Sequence, residues 1–102
     1  MRLDKSKKYL FICAYGQSRS RYFSERFMEM GIKSLFCGYV KDADIIYNQQ
    51  LMRWADEIVV LDNYFEKTSE GKYCEKKYIK FYIDDEPSLH KHRFREFMEL
   101  FK

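Results

Sequence analysis

The sequence predicts a three-layer α/β/α fold around a four-stranded parallel sheet. Three observations predict it. Strand-like and helix-like segments alternate along the 102 residues, which is the pattern of βαβ units. The first strand candidate, Tyr9-Leu10-Phe11-Ile12-Cys13, is apolar without interruption, as in a strand buried on both faces of a parallel sheet. Ile58-Val59-Val60-Leu61 is a second such run, rich in β-branched residues.

The remaining elements follow in order. Small and polar residues, Ala14 to Ser20, separate the first strand from a helix with Phe23, Phe27 and Met30 at helical spacing and Gly31 as its stop. Lys33–Val40 is the second strand, centred on Leu35-Phe36-Cys37. A loop over Asp42–Ile46 enters a short helix, roughly Asn48–Ala55. After the third strand, Asn63–Gly71 reads as a short helix or loop, and Lys77–Ile83 as the fourth strand. Asp84–Pro87 is a turn, with Pro87 suited to the first turn of the last helix and Asp85 or Ser88 as its cap. The apolar stripe of that helix is Leu89, Phe94, Phe97, Met98 and Phe101.

Composition narrows the function classes. A chain with 46% hydrophobic and 34% charged residues, one Pro and four Gly reads as one soluble domain over residues 1–102. The net charge of +3 favours anionic partners in general. No nucleic-acid motif is present, and the Tyr, Phe and Lys mixture of Lys72–Tyr82 reads as a strand with charged flanks. No stretch approaches a membrane span, and no leader pattern opens the chain. The three widely spaced cysteines, Cys13, Cys37 and Cys74, fit free thiols in a reducing cytoplasm. His90 and His92 make no zinc spacing with Cys74 and read as surface residues. Trp54 reads as core.

The segment that carries chemistry is Cys13-Ala14-Tyr15-Gly16-Gln17-Ser18-Arg19-Ser20. A Cys ends a strand, five residues intervene, and an Arg and a Ser open a helix. A loop of that length can turn successive backbone N–H groups inward as an anion nest. The helix N-terminus adds partial positive charge, and Arg19 can clamp two phosphate oxygens. A cradle of that sign favours the thiolate, the competent nucleophile. Ser20 can donate a hydrogen bond to the sulfur, and Gly16 permits the backbone angles of a tight loop. In open parallel sheets ligands bind beyond the carboxyl ends of the strands, which puts Asp84 and Asp85 at the same rim as Cys13. Both also suit turn and cap positions.

This loop resembles the Cys-(five residues)-Arg-Ser loop of the low-molecular-weight protein tyrosine phosphatases, here in a compact, shortened bacterial-type form. Trp54-Ala55-Asp56 before the third strand, Phe36-Cys37-Gly38, and Ile83-Asp84-Asp85-Glu86-Pro87 at the family's acid loop extend the resemblance over nearly the whole chain. The resemblance implies strand order 2-1-3-4, the phosphotyrosine protein phosphatase I-like fold, and phosphomonoester hydrolysis through a phosphocysteine on Cys13. It also implies phosphate held by Arg19 and by residues Ala14, Tyr15, Gly16, Gln17, Ser18 and Ser20. Asp85 is then the general acid, with Asp84 the fallback, and the resemblance implies that no metal or organic cofactor is required. The substrate would be a phosphotyrosine protein or a small aryl phosphate, with Tyr15, Tyr47 and Tyr64 as candidates for the mouth. The sequence departs from the family in placing Tyr15 and Gly16 where a Gly and an Asn are usual, and Arg21 and Asp84 where prolines are usual. Two alternatives stand beside hydrolysis: a phosphate- or phosphopeptide-binding module with little turnover, and an arsenate-reductase-like thiol enzyme using Cys37 or Cys74.

Overall fold

The uninterrupted apolar run from Tyr9 to Cys13 forms β1, and all five of its residues are buried. In the computed structural model, which describes residues 2–101, β1 lies inside a four-stranded, all-parallel sheet. The other strands are β2 (Ser34–Gly38), β3 (Glu57–Val60) and β4 (Ile79–Lys80), in the order β2-β1-β3-β4. The sequence expectation of strand order and parallel pairing holds. β4 is shorter than the expected Lys77–Ile83, although Phe81 N–H donates to the Val60 carbonyl and Ile83 N–H to the Leu61 carbonyl, each at 3.0 Å.

The helices are α1 (Arg19–Glu29), α2 (Gln49–Trp54), α3 (Ser69–Lys72) and α4 (His90–Glu99), with 3₁₀ turns at Phe65–Lys67 and Pro87–Leu89. Gly31 ends the α1 region with φ +79°, a left-handed angle that side chains disfavour. The Asn48 side chain accepts from Leu51 N–H and caps α2, and Thr68 caps α3 in the same way through Gly71 N–H. The last helix departs from expectation. Neither Asp85 nor Ser88 caps it, because Pro87 opens a 3₁₀ turn and α4 begins only at His90. Leu89 is consequently exposed, and His90 is buried instead of lying on the surface.

The period-two alternation of β1 feeds two cores. Tyr9, Phe11 and Cys13 face α1 and α4, where Phe23, Phe27 and Phe97 close the first core. Leu10 and Ile12 face the other way, onto Cys37, Met52, Ile58, Val60 and Phe65. The first core is largely aromatic, with edge-to-face pairs such as Phe11–Phe27 at 5.0 Å and Phe23–Phe94 at 5.1 Å. A buried polar link, Ser34 Oγ to Ser24 Oγ and to the Ser24 carbonyl, both at 2.8 Å, ties α1 to β2. Trp54 is half-buried at the margin of the second core, with Lys8 Nζ 5.7 Å from its ring centroid. Among the described residues, no helix is long and apolar enough to cross a membrane.

Phe97 is fully buried and meets the rings of Phe11, Phe23, Phe27, Phe81, Phe94 and Phe101. Phe97→Ala should therefore cost about 3 kcal/mol or more, read as a lower urea midpoint. A change under about 1 kcal/mol would mean that α4 is not part of the cooperative core.

Candidate active site at the carboxyl end of the sheet

The loop from Cys13 to Ser20 leaves the end of β1 and closes on itself at the start of α1. Cys13 Sγ lies 3.1 Å from Ser20 Oγ, so the two ends of the motif meet. Ser20 is fully buried and its hydroxyl also lies 3.4 Å from the Cys37 carbonyl. Gly16 has φ +67°, and a Cβ there would fall 2.6 Å from Gly38 N. A Cβ on Gly38 would in turn fall 2.5 Å from the Ala14 carbonyl oxygen. Loop and β2 therefore pass backbone against backbone, which only glycine permits at both positions.

The loop is anchored through an acceptor. The Ala14 carbonyl accepts from Tyr39 N–H at 2.9 Å and from Val40 N–H at 3.1 Å. Its donors are idle: among the described residues, no backbone N–H from Ala14 through Arg21 donates to a protein acceptor. The Ser18 side chain makes no capping bond to the first turn of α1, which leaves the helix N-terminus open. A run of free N–H donors at a helix start is the arrangement that binds oxyanions. Of the residues expected to hold phosphate, Gly16, Arg19 and Ser20 are buried, and Ala14 and Ser18 are half-buried. Tyr15 and Gln17 point their bulk outward.

Arg19 is only 8% exposed and its guanidinium is nearly enclosed. Nη1 donates to the Ile83 carbonyl at 3.1 Å. Nη2 lies 3.1 Å from Asp62 Oδ2 in an ion pair whose side chains are 10% and 12% exposed. Nε is buried with no hydrogen-bond partner, and Asp85 Oδ1 stands 4.0 Å from it. Asp62 is held in turn by the Tyr39 hydroxyl, which donates to Oδ1 at 2.6 Å, and by Tyr64 N–H at 2.7 Å. Burial, followed by that bond to Asp62, pushes the Tyr39 hydroxyl well up from its ordinary value.

Cys13, Arg19 and Asp85 thus come to one rim. Asp84 and Asp85 both line a cleft of 190 Å³ shared with Arg19, Asn63, Tyr82 and Ile83. The Cys13 thiol is 2% exposed and does not line that cleft. Tyr15 and Tyr64 are exposed beside the site, whereas Tyr47 is buried in the second core, its hydroxyl directed at Cys74 Sγ at 3.5 Å. Cys37 also belongs to the second core, on the sheet face opposite Cys13. Burial, and secondarily the nearby Cys13, pushes its thiol far up. Among the described residues, His, Cys, Asp and Glu form no cluster suited to a metal ion.

Sequence reasoning missed Asp62 and His90. Asp62 directly follows a buried β-branched strand, the position that singled out Asp84 and Asp85, and this was the available signal. His90 carried no signal, because its burial depends on where α4 begins. No protein-family model, curated protein or solved structure matches the sequence.

Asp62→Ala leaves a buried guanidinium without its carboxylate and should destabilise the fold by about 3 kcal/mol. Asp62→Asn, which keeps an acceptor for the Tyr39 hydroxyl, should cost less, and equal urea midpoints for the two variants would contradict the pairing. Burial also holds the His90 imidazole below its ordinary value of 6.5. Below that pH the unfolded chain takes up a proton that the folded chain resists, so folding stability should fall with pH from neutrality downward. His90→Phe should flatten this dependence above the carboxylate range, and an unchanged slope would show that His90 is not its source.

Proposed function

We propose that this chain is a cysteine-dependent phosphomonoesterase of the low-molecular-weight protein tyrosine phosphatase type. It would act in the cytoplasm on a phosphotyrosine protein or a small aryl phosphate, without metal or cofactor. The observation that carries the reading is the closed Cys13–Ser20 loop, with Cys13 Sγ 3.1 Å from Ser20 Oγ and a run of unused backbone donors between them. Phosphate oxygens fit those donors, and the Cys13 thiolate attacks phosphorus from the floor of the loop. As the P–O bond to the leaving group breaks, Asp85 gives its proton to the departing oxygen. Water then attacks the phosphocysteine, Asp85 takes the water's proton, and the sulfur leaves as a thiolate hydrogen-bonded by Ser20. Loop amides and Arg19 stabilise charge on the equatorial oxygens in both steps.

A binding module with little turnover is the second reading. It is favoured by the 2% exposure of Cys13 and by the pairing of Arg19 with Asp62. The reductase reading gains nothing from the geometry, since Cys37 and Cys74 both pack on the far face of the sheet.

Hydrolysis of para-nitrophenyl phosphate by wild type and by Cys13→Ser separates the first two readings. The phosphatase reading expects turnover that vanishes in Cys13→Ser. It also expects a loss of about a hundredfold in Asp85→Asn and little change in Asp84→Asn. Folded wild-type protein that binds phosphate but turns nothing over would establish the binding module instead. A large loss in Asp84→Asn alone would move the acid role to Asp84.

A further inference from the structure

His90 is the first residue of α4 and only 4% exposed. Its ring lies 5.6 Å from that of Tyr22 in α1, and its Nε2 is buried with no hydrogen-bond partner. Tyr22 also carries the Arg26 guanidinium, 4.7 Å from its ring centroid. The charged groups that act on His90 are Asp85 and Glu86 of the acid turn and Arg19 of the loop. Burial opposes a proton on the imidazole, Arg19 adds to that opposition, and the two carboxylates favour it. Tyr22 lies in the first turn of α1, its N–H donating to the Ser18 carbonyl at 2.9 Å, so His90 packs directly against the start of the helix that closes the loop, on the side where Arg19 borders the candidate anion site.

An anion beside Arg19 changes this balance. Two negative charges in the loop offset the repulsion that Arg19 exerts on a protonated imidazole. Linkage makes the effect reciprocal: whatever the anion does to the proton, the proton does to the anion. We infer that His90 is a proton-linked member of the anion site, so that a dianion in the Ala14–Ser20 loop and a proton on His90 stabilise one another. The inference rests on reading that loop as an anion site. It adds a regulatory property, tighter binding of dianions as pH falls, and a residue that the loop motif does not contain. His92 serves as the internal control. Its side chain is 72% exposed, and its Nε2 pairs with Glu96 at 2.9 Å.

Sulfate is the suitable probe, because it keeps both charges across the pH range in which histidine titrates and phosphate does not. The experiment follows the imidazole carbon-bound protons of His90 and His92 by NMR in wild type, with and without saturating sulfate. It adds sulfate affinities at about pH 5.5 and about pH 8 for wild type and His90→Gln. The expected result is a His90 midpoint that moves up with sulfate while that of His92 stays. Sulfate should bind wild type about tenfold more tightly at the lower pH, with a flat dependence in His90→Gln. Sulfate that binds without moving the His90 midpoint overturns the inference, even if His90→Gln fails to fold. The same holds for an undiminished pH dependence in a folded His90→Gln. Sulfate that does not bind wild type at either pH overturns the anion-site reading itself, and the inference with it.

Discussion

The Arg19 guanidinium is the charge around which the carboxyl end of the sheet is organised. A buried cation is costly unless paired and hydrogen-bonded, and Arg19 is nearly enclosed. The groups that surround it draw on the ends of all four strands. Arg19 itself follows β1 through the loop, Asp62 follows β3, and the Ile83 carbonyl follows β4. Tyr39, just after β2, reaches the same ion pair through its hydroxyl on Asp62. The rim is thus one hydrogen-bonded unit made of four chain segments that are distant in sequence. Any anion that binds there meets an arginine already fixed in place, which lowers the ordering cost of binding.

A second constraint is backbone packing. Gly16 and Gly38 lie so close that neither tolerates a Cβ, and the Ala14 carbonyl takes two N–H groups from Tyr39 and Val40. The loop is therefore held through its acceptor and through contact, while its N–H groups stay free. Gly16, Arg19 and Ser20 of that loop are buried residues, and donors that find no protein acceptor in such surroundings are unfavourable. Their presence in a segment packed this tightly is an imbalance that an oxyanion would correct. The unpartnered Nε of Arg19 adds to the same imbalance.

The fold was legible in the sequence because Tyr9–Cys13 and Ile58-Val59-Val60-Leu61 are apolar runs buried on both faces, a pattern that half-exposed strands do not share and whose short length and β-branched residues favour strand over helix. Gly31 was legible as a stop, and the Cys13, Arg19 and Ser20 spacing as a closed loop, because local geometry governs both. What sequence did not reveal depends on tertiary register. Asp62 looks like an ordinary turn residue until Arg19 is folded beside it. Leu89 and His90 exchange roles because Pro87 inserts a 3₁₀ turn, which delays α4 and rotates its buried face. Tyr47 has the same composition signal as Tyr15 and Tyr64, yet its position beside Phe65 at 5.3 Å puts it in the core and away from the mouth.

The charge around the loop bears on how it would hold an anion. Arg19 faces Asp62 at 3.1 Å and Asp85 at 4.0 Å, so its one positive charge is already outnumbered by carboxylates. An incoming dianion finds little free cationic charge from the arginine, and its binding energy has to come mainly from the amide donors and the start of α1. In such surroundings one added positive charge matters more than it would beside an unpaired arginine. His90 is a buried group placed to supply it, and burial is the main cause that holds its imidazole below the ordinary value. The carboxylates that hold Arg19 in place are thus the same feature that makes a proton nearby consequential. Precise placement of the guanidinium and sensitivity of the site to pH follow from one arrangement.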